Sequence, residues 1–164
     1  LQHQGLNIRY SPVLQALRRV GVGAIMERNI RRVNRRISIE HARRLLRTEP
    51  LWLIVEGEKG PTAAMPAVDL ARHLEELGQS PEPEKPEEKM EEKTTELDLM
   101  AIPAQRRDIA SIHYQANLQE ALDRFIDTGA EALYVERTAA PMIQRVLGLI
   151  TRADIDNYYQ YKGR

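Results

Sequence analysis

The stretch that decides the fold is NLQEALDRFIDTGAEALYVERTAAPMIQRVLGLITRADI, Asn117 to Ile155. Leu118, Ala121, Leu122, Phe125 and Ile126 recur at helical spacing and form one apolar stripe. Asn117 is placed to cap the start of that helix and Gly129 to stop its end. EALYVE (Glu131 to Glu136) then has a strand pattern, RTAAPMIQ (Arg137 to Gln144) reads as a turn, and RVLGLI (Arg145 to Ile150) as a second strand. TRADIDNYYQY (Thr151 to Tyr161) closes the run as a second helix, so the order is helix, strand, strand, helix.

The same order stands earlier in the chain. Ser38 caps a helix carrying Ile39, Ala42, Leu45 and Leu46, and LWLIVE (Leu51 to Glu56) follows as a strand. A turn at GEKGP, a short strand TAAMP ending at Pro66 and the helix AVDLARHLEEL (Ala67 to Leu77) complete the unit. Ser38 matches Asn117, Thr48 matches Thr128 and Asp69 matches Asp154, and the spacing widens mostly across the strand-to-strand turn, where insertions cost least. Each half opens with an extended piece, Arg31 to Ile37 and Asp108 to Tyr114, so each reads β-α-β-β-α. Two helices on one face of a three-stranded sheet leave the other face uncovered, and pairing the halves solves that. The fold class is therefore mixed α/β (α+β), with two small units completing one another.

Between the halves lies GQSPEPEKPEEKMEEKTTE, Gly78 to Glu96, rich in proline and like charges and nearly devoid of apolar residues. Such a composition does not offset the entropy of ordering, and a disordered acidic linker is expected over 78–98. The formal net charge is zero, yet it hides a separation. Ten arginines face only Glu27 and Glu40 between Arg18 and Arg47, whereas ten acids face three lysines between Glu75 and Asp98. An arginine-rich stretch of this kind suits nucleic acid, anionic headgroups or the chain's own acidic segment. No aromatics interleave the arginines, which weighs against base stacking, and no nucleic-acid partner is expected.

No window approaches the roughly 18 to 20 apolar residues of a membrane span. There is no signal-peptide core at the N-terminus. The chain opens at Leu1 rather than Met and reads as a piece of something longer. It has no cysteine, which excludes disulfides, thiolate metal sites and cysteine nucleophiles. His3, His41, His73 and His113 lack ligand spacing, so no metal is expected. A serine nucleophile elbow, a Walker-type loop and a dinucleotide-binding glycine run are all missing, and no enzyme activity is expected. Thr151 and Asp154 form a Thr-x-x-Asp pair at a helix start, and by themselves read as a reciprocal cap.

The duplicated unit ending in Gly-apolar-apolar-Thr-x-x-Asp resembles a tandem pair of cystathionine-beta-synthase (CBS) domains, or Bateman module. The second copy carries the likeness in NLQEALDRFIDTGAEALYVE and RVLGLITRADI, the first more weakly, with AAMPAVDL at the terminal motif. YSPVLQALRRVGVGAIMERNIRRV, LWLIVE and LDLMAIPAQRRDIASIHYQANLQEALDRF are further similar to the cytoplasmic C-terminal region of bacterial ClC-type chloride channels and transporters.

The resemblance implies two units packed sheet to sheet with pseudo-twofold symmetry. It implies a connector from a preceding membrane domain over 1–30, a first CBS domain over 31–77, the linker over 78–98 and a second CBS domain over 99–164. It further implies a regulatory module without catalysis, on the cytoplasmic face of the bacterial inner membrane. Its partners would be the transmembrane ClC domain of the same chain and a second copy. An adenine nucleotide (ATP, ADP or AMP) would be a regulatory ligand, with Thr151 and Asp154 on the ribose and Ala110, Ile112 and Tyr134 around the base. Asp69 would mark a poorer second site, because Pro66 stands where the hydroxyl belongs. The alternative is an adenylate-sensing CBS module, free-standing or attached to an enzyme.

Overall fold

The computed structural model describes residues 12–79, 96–140 and 143–162. They form two compact units, which do not follow the expected domain boundaries. One unit spans Asn29–Arg107; the other joins residues 12–28 to 108–162.

In the first unit, β1 (Ile30–Asn34) runs parallel to β3 (Trp52–Gly57), which is antiparallel to β4 (Gly60–Pro66). The helices α2 (Ile39–Arg47) and α3 (Ala67–Gln79) follow β2 (Arg36–Ser38) and β4 respectively. The extended piece 31–37 is broken at Arg35, and its second part, β2, pairs antiparallel with β5 (Glu96–Asp98). Both ends of the segment expected as linker are thus ordered: Gly78 and Gln79 belong to α3, and Glu96–Asp98 is a strand, while 80–95 lie outside the described residues. Leu97, Leu99 and Ile102 account for this, since they enter the same core as Val33, Leu53 and Leu70. Ser38 caps α2 by accepting from the His41 amide at 3.0 Å. The β3–β4 turn is tighter than the sequence suggests: Gly57 pairs with Gly60, whose φ of 105° only glycine adopts readily, leaving Glu58 and Lys59 as the loop.

The second unit begins with α1 (Pro12–Arg19) and a short 3-10 turn (Val22–Ala24), followed after the first unit by β6 (Arg107–His113) and α4 (Leu118–Thr128). Then come β7 (Ala132–Ala140), β8 (Ile143–Thr151) and α5 (Arg152–Lys162). β6 is parallel to β7, and β7 antiparallel to β8 with a bulge at Leu147 between the pairs Val135–Gly148 and Glu136–Val146. The expected turn over 137–144 is instead mostly strand, and only 141–142 separate β7 from β8. The signals inside that stretch are one proline at 141 and no glycine, so nothing forces a turn before it. α4 carries a full capping box, Asn117 with Glu120, and ends at Gly129 in the left-handed conformation. Its buried face is Leu118, Ala121 and Phe125; Ile126, grouped with them by spacing, is 68% exposed.

Residues 20–28, expected as part of a connector, are built into this unit. Val22 is fully buried, its amide donates to Ala116 O at 2.9 Å, and the Leu118 amide donates to Val20 O at 2.9 Å, satisfying one of the free donors at the start of α4. Glu27 and Leu149 exchange both backbone bonds, at 2.7 and 2.9 Å. Gly148 makes this approach possible: a Cβ there would sit 2.8 Å from Glu27 O and from Met26. No helix among the described residues is long and apolar enough to cross a membrane.

Candidate functional site

The residues expected to contact a ligand centre on two Asp-bearing helix starts, Thr151–Asp154 and Pro66–Asp69, whose carboxylates have different partners in the structure. At the first, the Thr151 amide donates to Asp154 Oδ2 at 2.9 Å, and the Asp154 amide donates to Thr151 Oγ1 at 3.2 Å. This is a complete reciprocal cap: two amide donors of the α5 start are satisfied, and the carboxylate sits at the positive end of the helix dipole. Asp154 Oδ1 makes no hydrogen bond to any described residue, so one carboxylate oxygen remains for a hydroxyl donor.

Strand register sorts the remaining expected contacts. Thr151 pairs with Ala132, and Tyr134 lies two residues along β7, so Thr151 and Tyr134 share one sheet face. Ala110 pairs with Leu133 and Ile112 with Val135, which puts them on the other face, in the core beneath the helices with Phe125 and Ile155. Ala110 and Ile112 therefore do not line one surface with Thr151 and Tyr134. Of the residues expected at this site, Thr151, Asp154 and Tyr134 remain together.

At the first-repeat helix start, α3 follows β4 directly, with Pro66 as the last strand residue. Asp69 is only 5% exposed, and is the one buried charged side chain among the described residues. Its Oδ2 accepts from the Gln105 amide at 2.8 Å and its Oδ1 from Arg72 Nη1 at 3.3 Å. Both oxygens are engaged. A surface cleft of about 230 Å³ opens beside it, lined by Asp69, Arg72, His73, Glu76, Pro103 and Gln105 among others. Sequence reasoning missed Arg72, His73 and Glu76, although with Asp69 they repeat at helical spacing along one face of α3. Gln105 carried no local signal.

A second clamp fastens the same returning segment. Arg35 Nε and Nη2 donate to Asp98 Oδ1 and Oδ2 at 2.8 and 3.0 Å, and the Met100 amide donates to Oδ1 at 3.0 Å. These bonds, the Arg35 pair first, hold the Asp98 carboxyl down to about 2 from its usual 3.8. Arg107 lies over the Trp52 ring at 5.6 Å, a cation–π contact at the start of β6. Among the described residues no group of His, Cys, Asp or Glu is arranged to hold a metal.

No family model and no curated protein matches the chain. Solved structures do. The CBS domain of a CBS domain-containing membrane protein from Sphaerobacter thermophilus aligns at a TM-score of 0.56 and 15% identity, over 93% of this chain and 96% of that one. A CBS domain-containing protein of unknown function from Kribbella flavida aligns at 0.51 and 15% identity, over 85% and 97%. With two β-α-β-β-α units present, these likenesses show that the chain has the mixed α/β fold of a tandem CBS pair.

Proposed function

We propose that this chain is a noncatalytic regulatory module, the cytoplasmic CBS pair of a ClC-type chloride channel or chloride/proton antiporter, working beside a second copy. The observation that carries the regulatory reading is the seating of residues 20–28. A segment leading in from the N-terminal side is stitched into the second unit at the α4 start and at β8. Glu27 bonds Leu149 only two residues before Thr151, so a change at the α5 start is felt along that segment, and a pull on the segment is felt at the α5 start. The ClC assignment is supported by the sequence likeness of Tyr10 to Val33 and Leu97 to Phe125. The solved CBS portion of a membrane protein from Sphaerobacter thermophilus has the same fold.

Adenine nucleotide is the ligand class proposed for the Thr151–Asp154 start. Oδ1 of Asp154 can accept from a ribose hydroxyl without breaking the cap, and the helix N-terminus favours nearby phosphate. At Asp69 a ribose would first have to displace Gln105 or Arg72.

The test uses the complete protein reconstituted in vesicles. Loosening the seat with Gly148→Val is expected to change chloride efflux by a factor of about 5 to 150, the range of an ordinary coupling energy. Efflux unchanged by the variant and by removal of the module ends the regulatory reading. Calorimetry with ATP, ADP and AMP on wild type and Asp154→Ala tests the ligand. The variant is expected to bind roughly 10- to 100-fold more weakly, as for loss of a charge-assisted bond; equal affinity returns Asp154 to capping alone.

A further inference from the structure

The two hairpins differ in a way the regulatory reading does not use. β3 and β4 close in a two-residue turn, whereas β7 and β8 run on beyond β6. β6 pairs with β7 only as far as Glu136, so Arg137 to Ala140 and Ile143 to Arg145 pair only with one another among the described residues. The result is a projecting two-stranded ribbon.

Its two faces carry opposite chemistry. On one, Glu136 and Thr138 stand two apart on β7, Gln144 faces Thr138, and the Gln144 amide donates to the Glu136 carboxylate. On the other, Arg137 is directly opposite Arg145, and Ile143 lies two residues from Arg145 on the same side. Like charges directly opposite destabilise an antiparallel pair. Neither arginine has an ion-pair or hydrogen-bond partner among the described residues, and Ile143 is 52% exposed. The sequence carries no charge between Arg137 and Arg145.

We propose that this face of the β7–β8 ribbon, Arg137, Ile143 and Arg145, docks on the anionic phospholipid surface of a membrane. Lipid phosphates supply the counter-charge that the fold withholds from the two arginines. The interfacial zone takes Ile143 out of water while the guanidinium groups stay at headgroup level. Duplex nucleic acid or free phosphate would satisfy the arginines but leave Ile143 exposed. The arginines of α2 are less suited, since Glu40 stands among Arg43, Arg44 and Arg47, and Arg44 and Arg47 complement the C-terminal end of their own helix. The proposal shares with the regulatory reading only its membrane setting.

The test is cosedimentation of the whole chain with vesicles of mixed phosphatidylglycerol and phosphatidylcholine, or of phosphatidylcholine alone. Binding is expected only to the anionic vesicles, and Arg137→Gln with Arg145→Gln should lower partitioning by roughly 30-fold, about 5-fold per arginine. Ile143→Ser should lower it several-fold, and Arg43→Gln with Arg47→Gln should leave it within twofold of wild type. If the double arginine variant melts below wild type, Ile143→Ser, confined to an exposed position, becomes the deciding variant. Equal binding to neutral vesicles, no loss in the ribbon variants, or loss only in the α2 variant overturns the proposal. So does competition by duplex DNA or inorganic phosphate that Ile143→Ser leaves unchanged. Vesicle binding that fails while chloride efflux still responds to Gly148→Val removes this proposal and leaves the regulatory one standing.

Discussion

Each repeat is completed by a segment from outside its expected boundaries, and the two segments are fastened by different forces. Residues 20–28 are held in the second unit by paired backbone bonds, by burial of Val22 and Met26 and by the close approach at Gly148. Residues 96–107 are held in the first unit by charged side chains as well, Asp98 by Arg35 and the Gln105 amide by Asp69. Backbone ladders are nearly indifferent to pH and salt, whereas carboxylate clamps are not. Two copies of one fold can therefore respond differently to the same solution conditions.

The comparison also explains why two matching aspartates do unlike jobs. Asp154 satisfies its own helix, and its partners lie within three residues. Pro66 has neither the amide N–H nor the hydroxyl of Thr151, so both halves of that arrangement are missing in the first repeat, and the Asp69 carboxylate accepts from the Gln105 amide instead.

The strongest way to break the contrast is Gly148→Val. A side chain there meets a backbone carbonyl that cannot yield without unseating the 20–28 segment, and a loss of about 3 kcal/mol is expected in urea unfolding. Gly78, with nothing within 4 Å of its would-be Cβ, is the matched control and should tolerate Ala without loss. A loss at Gly148 no larger than at Gly78 would show that the segment is not seated as described.

Next in size is the pair Asp69→Ala and Asp154→Ala. The first orphans the Gln105 amide and should cost about 2 kcal/mol; the second removes half of a cap and should cost about 1 kcal/mol or less. Equal losses would mean that Asp69 is only another cap.

The smallest effect is the pH dependence of the Arg35–Asp98 clamp, which is solvent-exposed. Because the folded pKa of Asp98 is lowered, its contribution is present above the unfolded value of 3.8 and is lost as pH falls through about 2. Asp98→Asn should flatten the stability profile in that window, read from urea midpoints at stepped pH. A profile unchanged by the substitution would remove the clamp from the account.

Much of this architecture is legible along the chain because its causes are short-range. Ser38, Asn117 and Gly129 mark helix ends through bonds spanning three or four residues, and the apolar spacing of Leu118, Ala121 and Phe125 names a buried face. The Thr151–Asp154 cap is local in the same sense. Ile126 escaped the pattern because periodicity gives a stripe but not its width, which depends on what packs against it. The length of the β7–β8 ribbon escaped too, since a single proline does not say how far strands continue on either side.

The amino-acid sequence alone determined the repeated order of helices and strands, their caps and the mixed α/β class, since each follows from interactions within a few residues. Only the tertiary structure decided that 20–28 completes the second repeat and 96–107 the first, that both oxygens of Asp69 are engaged, and that Ala110 and Ile112 face the core. These depend on partners dozens of residues away, whose meeting is set by which buried surfaces and unpaired amides the folded chain must satisfy, and no local pattern records that.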